Sequence, residues 1–146
     1  MQVATWAEFE AAEPQFAARV RKLLTTRKHL TMATLRRDGS PRISGTEIHF
    51  ADGDLRMGSM ASALKARDLQ REPRVAIHGP THDPRKGGGW RGEAKIAGRA
   101  YEVPNAGEGH TFRVDIGEVV LTQLGSNGLL IESWHPVRGY RAFDRP

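Results

Sequence analysis

No cysteine occurs anywhere in the sequence, which removes disulfides, thiolate zinc sites and cysteine nucleophiles in one step. That absence fits a reducing, cytoplasmic setting. Aromatic residues are scarce at 7%, so the interleaved aromatic and basic platforms that stack nucleic-acid bases are not evident. No run approaches the roughly 20 apolar residues needed to span a bilayer. The opening stretch, MQVATWAEFEAAEPQF, carries acids early and has no apolar h-region, which argues against a secretory signal. Acids are the minority charge: 17 Asp and Glu face 22 Lys and Arg, for a net charge of +5. A positive excess suits nucleic acid, acidic lipid or a phosphorylated small molecule. The cations are scattered, with doublets such as Arg36-Arg37 and Arg85-Lys86 but no basic helix stripe. The expectation is therefore a small-molecule ligand, with no nucleic acid and no membrane as partner.

The 146 residues suit one domain, 1–146, able to bury roughly two-thirds of its unfolded surface. Thr5 and Glu8 have capping-box spacing. Pro14 suits the first turn of a second helix, in which Phe16, Val20, Leu23 and Leu24 share a face. From His29 the pattern turns extended: HLTMATL, a turn at Asp38-Gly39, PRISGTEIHF, a turn at Asp52-Gly53, then Leu55–Ser59. Gly45 marks a bulge or a close backbone approach. Residues 62–71 read as a short helix, with Ser62 as a possible cap and Leu64 and Leu69 turned to the core. Pro73 ends it, and Arg74–His78 is a short buried strand. Residues 79–91 form a long Gly- and Pro-rich loop, in which Gly87-Gly88-Gly89 is either a lid hinge or a linker. Extended segments follow at 92–103, 112–124 and 129–134, the last two joined by a Gly125–Gly128 turn. About six strands, two helical zones and no βαβ alternation predict a mainly β barrel or sandwich with flanking helices.

The most informative piece is DLRMGSMASALKARDLQREPRVAIH. Gly58, Ser59, Ala61 and Ser62 stand between a strand and a helix N-terminus, where free N–H groups and the macrodipole favour an anion. Lys65 in the first turn opposes that dipole, a conflict that a bound phosphate would resolve. On pattern alone Lys65 reads equally as a solvated lysine on an exposed face. Ser59 has no base nearby in sequence and reads as an anion ligand rather than a nucleophile.

The ordered set of an N-terminal helix, the hairpin TLRRDGSPR, small residues ahead of a helical lysine, and EPRVA resembles the pyridoxamine 5′-phosphate oxidase-like split β-barrel family. That superfamily also holds proteins using the deazaflavin coenzyme F420. The resemblance is clearest over residues 29–78 and runs in order to the end of the chain. It implies a six-stranded split barrel with an N-terminal helical segment and a short central helix. It also implies a homodimer and an FMN cofactor, with F420 as the alternative. The family's phosphate-gripping lysine falls on Lys65, its strand hydroxyl on Ser59, and its hairpin arginine on Arg42, which reads otherwise as a surface arginine beside a turn. The flavin ring would lie against Ser44, Gly45, Thr46, Met57 and Gly58. A second subunit would complete the site, with Trp90, Glu93, Lys95, Trp134 and Arg138 as candidates. Either tryptophan covers the ring or seals a core. Two departures stand out. The basic residue that often precedes the helical lysine is Leu64 here, and SWHPVRGYRAFDRP does not match the oxidase's substrate-phosphate residues. Pyridoxamine 5′-phosphate is thus not the expected substrate.

No metal site is expected: His78 and His82 are four apart beside Asp83, but Gly79 and Pro80 forbid the regular helix that would pair them. Asp115 and Glu118 share no evident face, and no catalytic residue is identified. The leading reading is an FMN-binding oxidoreductase acting by hydride transfer on a small substrate. The alternatives are an F420-dependent reductase and a non-catalytic flavin or haem binder.

Overall fold

A computed structural model describes residues 1–146. The Thr5 capping box forms: the Thr5 hydroxyl accepts from the Glu8 N–H, and the Glu8 carboxylate accepts from the Thr5 N–H. It starts α1, Trp6–Ala12, which buries Trp6 and Phe9. Pro14 sits at the first position of α2, Pro14–Leu24, where its missing N–H costs nothing. Phe16, Ala17, Val20 and Leu24 form its buried stripe. Burying each of the three larger side chains stabilises by about 1.5–3 kcal/mol. Phe9 meets Phe16 edge-on at 5.9 Å and Trp134 at 4.8 Å, so the two helices join one aromatic cluster with the sheet.

Nine strands follow, all paired antiparallel: β1 Leu30–Leu35, β2 Pro41–Thr46, β3 Ile48–Ala51, β4 Asp54–Ser59, β5 Arg74–His78, β6 Glu93–Val103, β7 His110–Gly125, β8 Gly128–His135 and β9 Gly139–Arg145. Their order is β2-β1-β5-β6-β7-β4-β3. Only Glu47 separates β2 from β3. The path therefore begins and ends on one continuous stretch, and the sheet closes into a ring of six strands with β2 and β3 as two halves of one. Closure leaves that ring without a free edge. Inward side chains form rows across it, such as Met32, Ile77, Ile96 and Val119, all buried. The β8–β9 hairpin extends from β7 outside the ring.

The class is as the sequence implies, mainly β with three helices, but several local expectations need correction. The tail beyond residue 134, which the sequence pattern assigns to no element, forms β9. Gly45 makes no bulge; the register shift falls between Ala97 and Gly98, where a Cβ on Gly98 would stand 1.9 Å from the Asp115 carbonyl oxygen. Ser62 does not cap α3, Leu64–Arg71: it takes a φ of 68°, and the capping position is Ala63, which has no side-chain cap bond. Leu64 is 56% exposed, while Leu69 is buried. Residues 79–92 contain no helix or strand. No helix is long and apolar enough to cross a membrane.

Candidate functional site

A cleft of about 580 Å³ opens where the β2–β3 stretch, the end of β4 and the start of α3 meet. Gly45, Thr46, Gly58, Ser59 and Lys65 line it, with His29, Glu47, Ile48, His49 and Met60. Five of the residues singled out in the sequence thus converge on one concavity.

Two features fix its chemistry. The start of α3 has no side-chain cap, and the N–H groups of Leu64 and Lys65 find no acceptor in the chain. The Lys65 ammonium is half-buried and donates to the Gly45 carbonyl oxygen at 2.8 Å. Burial pushes its pKa below the ordinary lysine value, against the opposing pull of Glu47. A Cβ on Gly45 would meet nothing within 4 Å, so the backbone is bare to the cleft there. The Ser59 hydroxyl donates to the Met60 carbonyl at 3.1 Å. Glu47 places a carboxylate in the same cleft, with the Lys28 ammonium at 3.8 Å offsetting it and the His29 ring at 3.6 Å.

Behind the cleft, α3 is fastened by a residue the sequence reading passed over. Asp68 is 3% exposed. Its carboxylate accepts from the Arg42 Nε at 2.7 Å, the Thr34 hydroxyl at 2.7 Å and an Arg71 Nη at 3.2 Å. Burial works against its charge, but these donors outweigh it and hold the carboxyl below its ordinary pKa. Arg42 is thereby a strut between β2 and α3, since its Nε is committed to Asp68. No local pattern announces this, because the partners lie 26 and 34 residues from Asp68.

The other candidates lie elsewhere. Ser44 pairs with Met32 across the β1–β2 ladder. Met57 is 2% exposed and belongs to the core, so it offers no surface to a ring. Trp134 is 4% exposed and packs on Phe9, so it seals the aromatic cluster rather than covering a ligand. Trp90 donates from its indole to the His82 carbonyl at 2.8 Å, within the 79–92 loop. Arg138 donates to the Ser133 hydroxyl, and Glu93 faces His78 at 3.6 Å. Lys95 is exposed on the outer face of β6, in one cross-strand row with His78, Thr31 and Gly45. Three strand spacings of about 4.8 Å put it roughly 14 Å from Gly45. No group of three or more metal-ligating side chains converges anywhere.

Known proteins match this arrangement. A pyridoxamine 5′-phosphate oxidase-related, FMN-binding protein of Nostoc punctiforme superposes with a TM-score of 0.67 at 13% identity, over 92% of this chain and 96% of that one. PhzG of Burkholderia lata, solved with tetrahydrophenazine-1-carboxylic acid, gives 0.62 at 12% identity over 94% and 90%. A FAD-binding protein of Mesorhizobium loti gives 0.55 at 22% identity over 70% and 89%. At such identities the likeness is one of fold. No curated protein matches by sequence. The family model described as pyridoxamine 5′-phosphate oxidase matches residues 16–127, which take in the whole ring and the whole of the Lys65 cleft, and the chain belongs to that family.

Proposed function

We propose that the chain binds FMN with the phosphate at the Lys65 end of the cleft, and that it acts as a flavin-dependent oxidoreductase on a small substrate. The observation that carries this is the Lys65 ammonium, partly desolvated on the wall of the cleft and carried by the first turn of a helix whose leading N–H groups lack acceptors. A phosphate beside that ammonium would accept from it and would be favoured by the helix dipole. Gly45 and Gly58 keep side chains away from the strands along which the rest of a flavin would lie. Arg42 and Asp68 hold α3, and with it Lys65, against β2. The neighbouring FMN-binding and FAD-binding folds agree with this choice. Bound flavin supplies hydride transfer; the protein's part is to grip the phosphate, orient the ring and shape the substrate's approach.

A homodimer accompanies this reading. The outer face of β2, β1, β5 and β6 carries the row Ile43, Ala33, Ala76 and Ala97, with Ile43 77% exposed. Such an apolar face suits a second copy, and light scattering should return twice 16.2 kDa. The deazaflavin F420 is favoured by one observation. His29 lines both the Lys65 cleft and an adjoining one of about 450 Å³ that includes Arg27 and His78, giving a longer anionic cofactor somewhere to run.

Fluorescence titration with FMN tests the phosphate grip. Lys65→Ala should weaken binding by about tenfold or more and leave the urea midpoint unchanged. Equal affinity in variant and parent would refute the reading. Mass spectrometry of the copurifying small molecule decides between FMN and F420.

A further inference from the structure

A second cleft, of about 440 Å³, lies between α2, the 79–92 loop and the far end of β7. It shares no lining residue with the Lys65 cleft. Its walls are Arg19, Lys22, Arg85 and Arg91, its apolar patch is Leu23 and Leu121, and Thr26 and Gln123 complete it. We propose that it is a binding site for a small molecule carrying a phosphate or carboxylate on an apolar body.

The charge balance is the first argument. Arg19 is paired with Glu132, which also accepts from Tyr140 and Gln123. Lys22, Arg85 and Arg91 have no acidic partner and make no side-chain hydrogen bond, so three positive charges face one concavity unbalanced. Like charges gathered around a low-dielectric wall repel one another until a counter-ion enters. Leu23, only partly buried, gives such an anion an apolar surface for the remainder of its body, while Leu121 is buried behind it.

The second argument is that the loop bringing two of these cations is fastened in place. The Thr26 hydroxyl gives its proton to the Leu23 carbonyl at 3.0 Å. The same hydroxyl lies 2.9 Å from His82 Nε2, a hydrogen bond that ties the loop to α2. Trp90 closes the loop on itself through the His82 carbonyl. Between these ties Gly87, Gly88 and Gly89 all take positive φ, and the Arg85 N–H bonds the Gly89 carbonyl at 2.8 Å, so Arg85 stands at a defined turn. His82 already senses the local field: burial first, then the charges of Arg27 and Arg91, lower its pKa.

Calorimetric titration of the full chain with phenyl phosphate, in the presence of saturating FMN so that the Lys65 cleft is already filled, tests this. Binding should be measurable below about 10 mM, weaker for inorganic phosphate, and absent for benzyl alcohol. Arg85→Ala combined with Arg91→Ala should weaken phenyl phosphate by about tenfold at an unchanged thermal midpoint, while Lys65→Ala leaves it unaltered. Methyl NMR shifts of Leu23 and Leu121 on adding phenyl phosphate give a readout that needs no variant. Absence of binding, equal affinity in the double variant, loss in Lys65→Ala, or equal binding of benzyl alcohol would overturn the proposal. So would a short oligonucleotide that binds more tightly with steep salt dependence, since that marks a phosphate-backbone patch.

Discussion

Two buried carboxylates hold the helices to the sheet, and they are secured differently. Asp68 anchors α3 with two guanidinium partners, Arg42 and Arg71, plus the Thr34 hydroxyl. Glu132 anchors α2 to β8 with only one, Arg19, in a two-pronged contact of 2.8 and 2.5 Å, supported by neutral donors from Tyr140 and Gln123. The helix that carries the candidate cofactor lysine thus has a redundant countercharge, and α2 does not. A buried carboxylate that loses its last countercharge is costly, whereas one that keeps a second is much less so.

Arg19→Ala offers the largest expected effect: Glu132 would stay buried with neutral donors alone, and unfolding in urea should show a loss of about 3 kcal/mol. Arg42→Ala leaves Arg71 on Asp68 and should lose about 1.5 kcal/mol. It should also weaken FMN, because α3 and Lys65 lose their strut to β2. Equal losses in the two variants would break the comparison. The pH dependence sharpens it. Both carboxyls are held below their ordinary pKa, so each adds stability that is present above the unfolded carboxyl value and disappears as pH falls through the folded one. The contribution of these two carboxyls should be flat between about pH 7 and 5 and should fall below about pH 4; Asp68→Asn and Glu132→Gln should each flatten that acid limb. The smallest effect belongs to the cleft itself. Glu47→Gln removes the one carboxylate facing a bound phosphate and should tighten FMN by about threefold at low salt, with little change in the urea midpoint.

What the sequence discloses follows from what is local. The capping box, Pro14 and the Asp-Gly and Gly125–Gly128 turns are each set by neighbours within a few residues, and each forms as read. The cleft is partly legible for the same reason: small residues ahead of Lys65 mark a strand running into a helix. Strand β9 is hidden because nearly all of its side chains are exposed. It is held by the backbone ladder to β8 rather than by an apolar face, so no alternation appears. Trp134 and Met57 mislead because an aromatic or a methionine near a site motif looks the same in sequence whether it faces a ligand or the core. Leu69 faces the core as read but Leu64 does not, because α3 turns Ala66, Asp68 and Leu69 inward, a choice made by the Arg42 and Thr34 partners of Asp68 on distant strands.

Glu47 is the lone residue at the join of β2 and β3, and the Lys65 cleft straddles that join. An occupant touching Thr46 on one side and Ile48 on the other works like a clasp on a bracelet. Its grip is thermodynamically linked to the unity of the whole circuit, since opening the join would forfeit the occupant. Amide hydrogen exchange along β1 and β4, well outside the occupant's own footprint, is then slowed by its presence.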